Sequence, residues 1–247
     1  MAGAMYYAQK LSGRRLQRCY EIAPERVCQY LEAEIAHAVG RLRQSDEVLE
    51  LGCGYGRIAR RIAREVARVV GVDTATASLE LAKRLSRATD RLDFLHMDAI
   101  DLHFSDGTFD AVLCLQNGIC AFGVDQERLV KEALRVTREG GIVLLSSYSD
   151  KFWPHRLAWF EAQAKEGLVG QVDRIASKDG VIVCQDGFRA GRLTPDDFRA
   201  LCSRIGIDGQ VCEVEESSIF CEITKGGAGQ QADTAERPAP GRRSAER

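Results

Sequence analysis

Apolar positions along this chain recur in two alternating rhythms. Residues 24–43, PERVCQYLEAEIAHAVGRLR, space Val27, Leu31, Ile35 and Val39 four apart, which predicts an amphipathic helix with Pro24 in its first turn. EVLEL (47–51) predicts a short buried strand. RIARRIAREVAR (57–68) predicts a helix with Ile58, Ile62 and Val66 on its inner face. Its arginines, Arg57, Arg60, Arg61, Arg64 and Arg68, read as a solvated outer face. The alternation continues with a strand over 69–73, a helix over 77–88, and strands over 92–97 and 109–115. A helix over 125–139 follows, with Asp125 as its N-cap and Gly140-Gly141 as its stop, and then a strand over 142–148. Apolar strands separated by helices predict a parallel sheet covered on both faces, with right-handed crossovers.

After Tyr148 the rhythm changes. A helix is predicted after Pro154, and a hairpin over 167–193 turning at Lys178-Asp179-Gly180. TPDDFRALCSRIG predicts a helix capped by Thr194 with Pro195 at its first position. QVCEVEES and SIFCEITK predict two closing strands, and residues 226–247, nearly free of apolar side chains, are expected to be disordered. The expected organisation is an N-terminal helical cap segment (1–46) and a main domain (47–225), with a substrate-cap insertion at 149–193, and then the tail (226–247).

Composition narrows the classes. At 247 residues the chain can bury a substantial core, and its net charge of −2, from 34 basic and 36 acidic residues, gives no pull toward nucleic acid. The opening MAGAMYYAQKLSGRRLQRCY turns polar at once, so no secretory leader is read there, and no apolar run approaches the roughly 18–20 residues of a membrane span. The nine cysteines, Cys19, Cys28, Cys53, Cys114, Cys120, Cys184, Cys202, Cys212 and Cys221, are scattered and include no C-x-x-C pair. Neither a disulfide framework nor a metal site is expected, and a cytoplasmic setting is the simplest.

The chemistry concentrates at ELGCGYGR, where Gly52, Gly54 and Gly56 join the first strand to the next helix. A dinucleotide fingerprint needs G-x-G-x-x-G, but the third glycine's place holds Arg57, and no Gly-Lys-Ser/Thr follows as a phosphate loop requires. Asp73 ends the second strand, where a carboxylate can accept from both hydroxyls of a ribose. Asp98 follows the third strand and could accept from an adenine amine, while Gln116 and Asn117 follow the fourth. Ligands of open α/β sheets bind beyond these strand ends. Singly, each acid could equally cap a turn; jointly they point to one ligand.

With VLELGCGYGR, VVGVDTATASLELAKRL, LDFLHMDAIDLHFSDGTFDAVLCL and LVKEALRVTREGGIVLLSSY in order over 47–148, the chain resembles the class I S-adenosylmethionine-dependent methyltransferases. The resemblance implies a Rossmann-like, doubly wound α/β fold with a seven-stranded sheet whose last strand is antiparallel. It also implies S-adenosyl-L-methionine as cofactor. The cofactor would be held by Tyr20, Glu50, Gly52, Cys53, Gly54, Asp73, Thr74, Asp98, Ala99 and Gln116, with its amino-acid end against the glycine loop.

The resemblance does not name the acceptor. The place where methylases of base amino groups carry Asn/Asp-Pro-Pro-aromatic reads QNGICAFG, without proline, and no basic RNA-binding domain is evident. A small-molecule acceptor is expected, held by Tyr20, Asn117, Ile119, Tyr148 and His155; His155 is the weak candidate for a base, against a bland surface role. Methylation of protein or RNA, and cofactor binding without turnover as a regulator, are the competing readings. Metalloid chemistry at Cys53, Cys114 and Cys120 lacks a close-spaced thiol pair.

Overall fold

The computed structural model describes residues 6–7, 9–87 and 91–226. The expected disordered tail lies, from residue 227 on, outside them. In chain order the elements are α1 (Arg14–Glu21), α2 (Glu25–Val39), β1 (Glu47–Leu51), α3 (Ala59–Ile62), β2 (Arg68–Asp73), α4 (Thr76–Leu85) and β3 (Leu92–His96). Next come β4 (Phe109–Cys114), α5 (Gly118–Ala121), α6 (Gln126–Val136), β5 (Thr137–Tyr148) and α7 (Trp153–Lys165). The chain closes with β6 (Ile182–Val183), β7 (Arg189–Ala190), α8 (Pro195–Ile205), β8 (Gln210–Val214) and β9 (Ser218–Thr224).

The main sheet has seven strands in the order β3-β2-β1-β4-β5-β9-β8. The first five are parallel, and β9 runs antiparallel to both neighbours. This is the doubly wound α/β sheet that the alternating pattern predicts. Because side chains alternate across a strand, the apolar runs feed two cores at once. Leu49, Leu51, Val70, Val72, Val112 and Val143 pack under α6 and α8, while Val48, Val69, Ala111 and Leu144 pack under α2, α3 and α4. Strand order reverses between β1 and β4, so the first crevice for a ligand lies beyond their carboxyl ends.

Local differences from the predicted elements have physical reasons. The helix predicted over 57–68 is regular only at α3, its flanks mixing three- and four-residue hydrogen-bond spacings. Ile58, Ile62 and Val66 are nonetheless buried as the stripe requires. Helix α6 begins at its Asp125 cap, which accepts from the Arg128 backbone N–H at 2.8 Å, but it ends at Val136 rather than at the glycines. Thr137, buried and β-branched, already pairs with Phe109, and Gly140 sits inside β5 at φ 73°. The predicted turn at 178–181 is present, bridged from Lys178 to Val181, with Asp179 at φ 53° and Gly180 at φ 76°. A second reversal at 184–188 then joins β6 to β7 and inserts the buried Phe188.

The N-terminal segment and residues 149–193 pack on each other beyond the strand ends. Tyr6, Leu11, Cys19, Phe160, Leu168, Ile182 and Phe188 share a separate apolar cluster. Polar ties lock it: Tyr6 Oη donates to Asp186 (2.6 Å), Trp159 Nε1 to the Cys19 carbonyl (2.9 Å) and Arg15 to the Gly167 carbonyl (2.7 Å). A Gly13 N–H to Ser78 Oγ bond of 2.9 Å fastens the segment to α4. Among the described residues, no helix is long and apolar enough to cross a membrane.

Candidate active site

The end of β1 turns through Gly52 (φ 68°), Gly54 (φ 54°) and Gly56 (φ 75°), a left-handed series that only glycine adopts without strain. A Cβ at Gly56 would stand 2.5 Å from the Phe94 ring, so this glycine lets the loop lie on β3. A Cβ at Gly52 would fall 2.3 Å from the ring of Phe122, which therefore rests on bare backbone. The loop is pinned to β2: Cys53 N–H donates to the Val72 carbonyl (3.0 Å) and Gly54 N–H to Asp73 Oδ2 (2.8 Å). Asp73 Oδ1 accepts from the Ala75 N–H at 2.7 Å. Each oxygen keeps lone-pair capacity for a ligand hydroxyl. Burial pushes the Asp73 carboxyl up, opposed by these backbone N–H groups.

Two further carboxylates are buried nearby. Glu50, 3 % exposed at the end of β1, is pushed up to about 8 by burial, opposed by Arg57 and the Ala59 backbone N–H. Its Oε2 has no hydrogen-bond partner among the described residues. Glu34 on α2 is fully buried and pushed up to about 7, again by burial first, with Ser146 and Arg57 opposing. It accepts from the Gln116 N–H at 3.1 Å, and Ser146 Oγ accepts from the same N–H at 2.8 Å. Gln116 (φ 53°) and Asn117 (φ 62°) are consecutive left-handed residues that turn the chain sharply off β4.

These elements enclose a cavity of about 210 Å³. It is lined by all ten expected cofactor residues, nine of them at or after the strand ends (Glu50, Gly52, Cys53, Gly54, Asp73, Thr74, Asp98, Ala99 and Gln116) and Tyr20 from α1. Of the expected acceptor residues, Tyr20 and Tyr148 line it and three do not. Asn117 is buried as a clamp, donating to the Gly191 carbonyl (2.9 Å) and accepting from Ser147 Oγ (2.8 Å). Ile119 points into the main core at 1 % exposure. His155 is exposed on α7, near the Phe152 ring, because the first turn of that helix aims it away from the cavity. Cys53 lines the cavity, whereas Cys114 and Cys120 lie off it. The one cluster of possible metal ligands among the described residues, His37, Cys212 and Glu222, lies away from the cavity, with Glu222 held by His37 and Arg41.

Sequence reasoning missed several lining residues. Arg57, read as part of a solvated face, instead turns into the cavity with its guanidinium 4.8 Å from the centre of the Tyr20 ring. Phe122, Tyr7, Tyr55, Trp159 and Phe160 also line it. Two signals were present. Arg57 opens the helix directly after the glycine loop, and Glu34, three residues after Leu31 and seven after Val27, occupies an apolar-stripe position.

Comparison with known proteins bears on this geometry. A family model described as a methyltransferase domain matches residues 48–141. The demethylmenaquinone methyltransferase of Clavibacter sepedonicus is 33% identical over 108 residues, 42% of this chain and 42% of that protein. The sterol 24-C-methyltransferase of Aspergillus fumigatus is 33% identical over 151 residues, 57% of this chain and 39% of that protein. The chain thus spans about two fifths of the length of these relatives. In fold it is similar to the crystal structure of an S-adenosylmethionine-dependent methyltransferase of Methanosarcina mazei, with a TM-score of 0.57, 20% identity and coverage of 78% of this chain and 97% of that one.

The residues present fit S-adenosylmethionine. The buried, unpartnered Glu50 oxygen suits an ammonium group, Asp73 suits vicinal hydroxyls, and the loop offers no phosphate-binding Lys-Ser/Thr pair. Motifs, sheet order and family model agree: residues 48–141 match a methyltransferase domain, set in the seven-stranded sheet that the class I S-adenosylmethionine-dependent resemblance implies.

Proposed function

We propose that this chain transfers a methyl group from S-adenosylmethionine to a small-molecule acceptor. The observation that carries this reading is the juxtaposition of Glu50 and Asp73, at adjacent strand ends, on one cavity. Glu50 would hold the amino group of the cofactor, Asp73 its ribose hydroxyls, and Asp98 and Ala99 the adenine. Once bound, the cofactor supplies an electrophilic methyl carbon on a sulfonium. What remains for the protein is to hold the acceptor in line and to exclude water. The N-terminal segment (1–46) and the insertion (149–193) would do this as a cap, Tyr20 and Tyr148 supplying acceptor contacts.

A small acceptor is supported by the partial cover that α1 and α7 place over the cavity and by relatives named for demethylmenaquinone and a sterol. The test is a screen of amines, thiols, phenols and carboxylates, read as release of demethylated cofactor and paired with titration calorimetry of the cofactor itself. Cofactor binding with turnover of one acceptor class supports the proposal. Binding without turnover of any small acceptor, but with methylation of protein or RNA, would refute its second half.

A further inference from the structure

The roof of the cavity carries information about the acceptor that the glycine loop does not. Besides Phe122, which rests on the glycine loop, six aromatic residues line the cavity: Tyr7, Tyr20, Tyr55, Tyr148, Trp159 and Phe160. Tyr20 is central, its ring 5.9 Å from Tyr55 and 5.7 Å from Trp159, both tilted. Such walls suit a flat apolar ring, since offset and tilted aromatic contacts add to simple burial. They would equally suit an organic cation, but two guanidinium groups already hold those faces. Arg57 lies over Tyr20 and Arg156 lies 4.2 Å from the centre of Tyr148, so a third cation would meet like charge.

Arg57 supplies the missing polar element. Its Nη2 is buried and has no hydrogen-bond partner among the described residues. The charged and titratable groups near it are Glu34 from α2, Glu50 from β1, Tyr20 from α1 and Tyr55 from the loop. Burial holds Glu34 up to about 7, and in the proposed complex Glu50 would face the cofactor's ammonium group, so the two carboxyls offset the guanidinium only in part. A buried donor of this kind favours an anionic oxygen.

We propose that the acceptor is a planar aromatic hydroxyl compound, its ring against Tyr20 and Trp159 and its ionised oxygen on Arg57. This rests on the methyl-transfer reading and specifies its acceptor. On binding, the phenol O–H bond breaks, the proton leaves to bulk water, and both electrons stay on the oxygen that faces the guanidinium. Arg57 is thus a positioning residue that makes the bound oxygen a nucleophile, and no side-chain base such as His155 is required.

The test uses the full chain with S-adenosylhomocysteine, which cannot donate a methyl group, and three probes of similar size: 4-nitrophenol, nitrobenzene and benzyltrimethylammonium. The nitrophenolate absorbance reports ionisation directly. The expected result is 4-nitrophenol bound about tenfold tighter than either other probe, and ionised about one pH unit lower than in buffer. Arg57→Gln should abolish that ionisation shift while changing S-adenosylhomocysteine affinity less than about threefold, and Arg57→Lys should retain part of it. Equal or tighter binding of nitrobenzene or the quaternary cation would overturn the inference. So would absence of saturable phenol binding to a chain that still binds S-adenosylhomocysteine, which leaves the methyltransferase reading standing. A loss of about tenfold or more in S-adenosylhomocysteine affinity on Arg57→Gln would assign the guanidinium to the cofactor and also refute the acceptor role. Failure of the unaltered chain to bind S-adenosylhomocysteine would remove the methyl-transfer reading together with this one.

Discussion

The floor and the roof of the cavity are built by different means. The floor comes from strand ends, where one turn follows one strand and each functional group sits next to a motif that fixes it. Asp73 is a two-step neighbour of Ala75 and lies across one strand from the glycine loop. The roof is assembled from distant segments: α1 meets α7 through Trp159 and the Cys19 carbonyl, and Arg156 reaches the carbonyls of Gly180, Ala190 and Gly191. The proposed cofactor contacts can therefore be written in short motifs, while the proposed acceptor contacts depend on tertiary packing that few local rules constrain.

That contrast can be broken first at its strongest tie. Arg156 is 1 % exposed and donates to three carbonyls at 2.7–2.9 Å. Arg156→Leu should strand those carbonyls and cost about 3–5 kcal/mol of stability in denaturant titration. If the roof packs independently of the floor, cofactor affinity in the surviving fold should fall less than acceptor affinity.

Next is Glu34, which ties α2 to the turn after β4. Its folded pKa of about 7 lies above the ordinary 4.5, so the folded chain binds that proton more tightly than the unfolded chain does. Its contribution is present in full below about pH 4.5 and is lost as pH rises through 7. Glu34→Gln should remove up to about 3 kcal/mol of that decline, seen as a flatter stability–pH curve between those limits.

Asp73→Ala probes the floor alone. It should weaken S-adenosylmethionine binding by about 1.5–3 kcal/mol in titration calorimetry, and unchanged affinity would reject the ribose role. The smallest effect belongs to a purely local signal. Thr194 and Asp197 form a reciprocal capping box at the start of α8. Thr194→Ala should cost about 1 kcal/mol in melting experiments, without altering cofactor binding.

The same division explains what was legible in the sequence. Strand ends and caps were, because period-two and period-3.6 patterns, glycine turns and Thr194-Pro195 are local statements. Arg57 was misread because amphipathicity says which side of a helix is polar, not whether that side faces water or a cavity. His155 and Asn117 were placed at the site by sequence proximity to β4 and β5. The first is turned outward by its helix phase and the second is consumed by contacts to Gly191 and Ser147. Trp159 and Phe160 carry no local mark, since an aromatic on a weakly amphipathic helix reads simply as core. Glu34 was visible as a misplaced charge on an apolar stripe, and its value lay in the exception to the pattern.

The way Arg156 grips backbone rather than side chains has a consequence for variation. Carbonyl oxygens are present whatever residue supplies them, so replacing Ala190 or Gly191 leaves the grip chemically intact. A Cβ at Gly191 would meet nothing within 4 Å, so that position can accept a new side chain. Lineages, or an engineer, can thus redecorate this arch for a different guest while its keystone stays put.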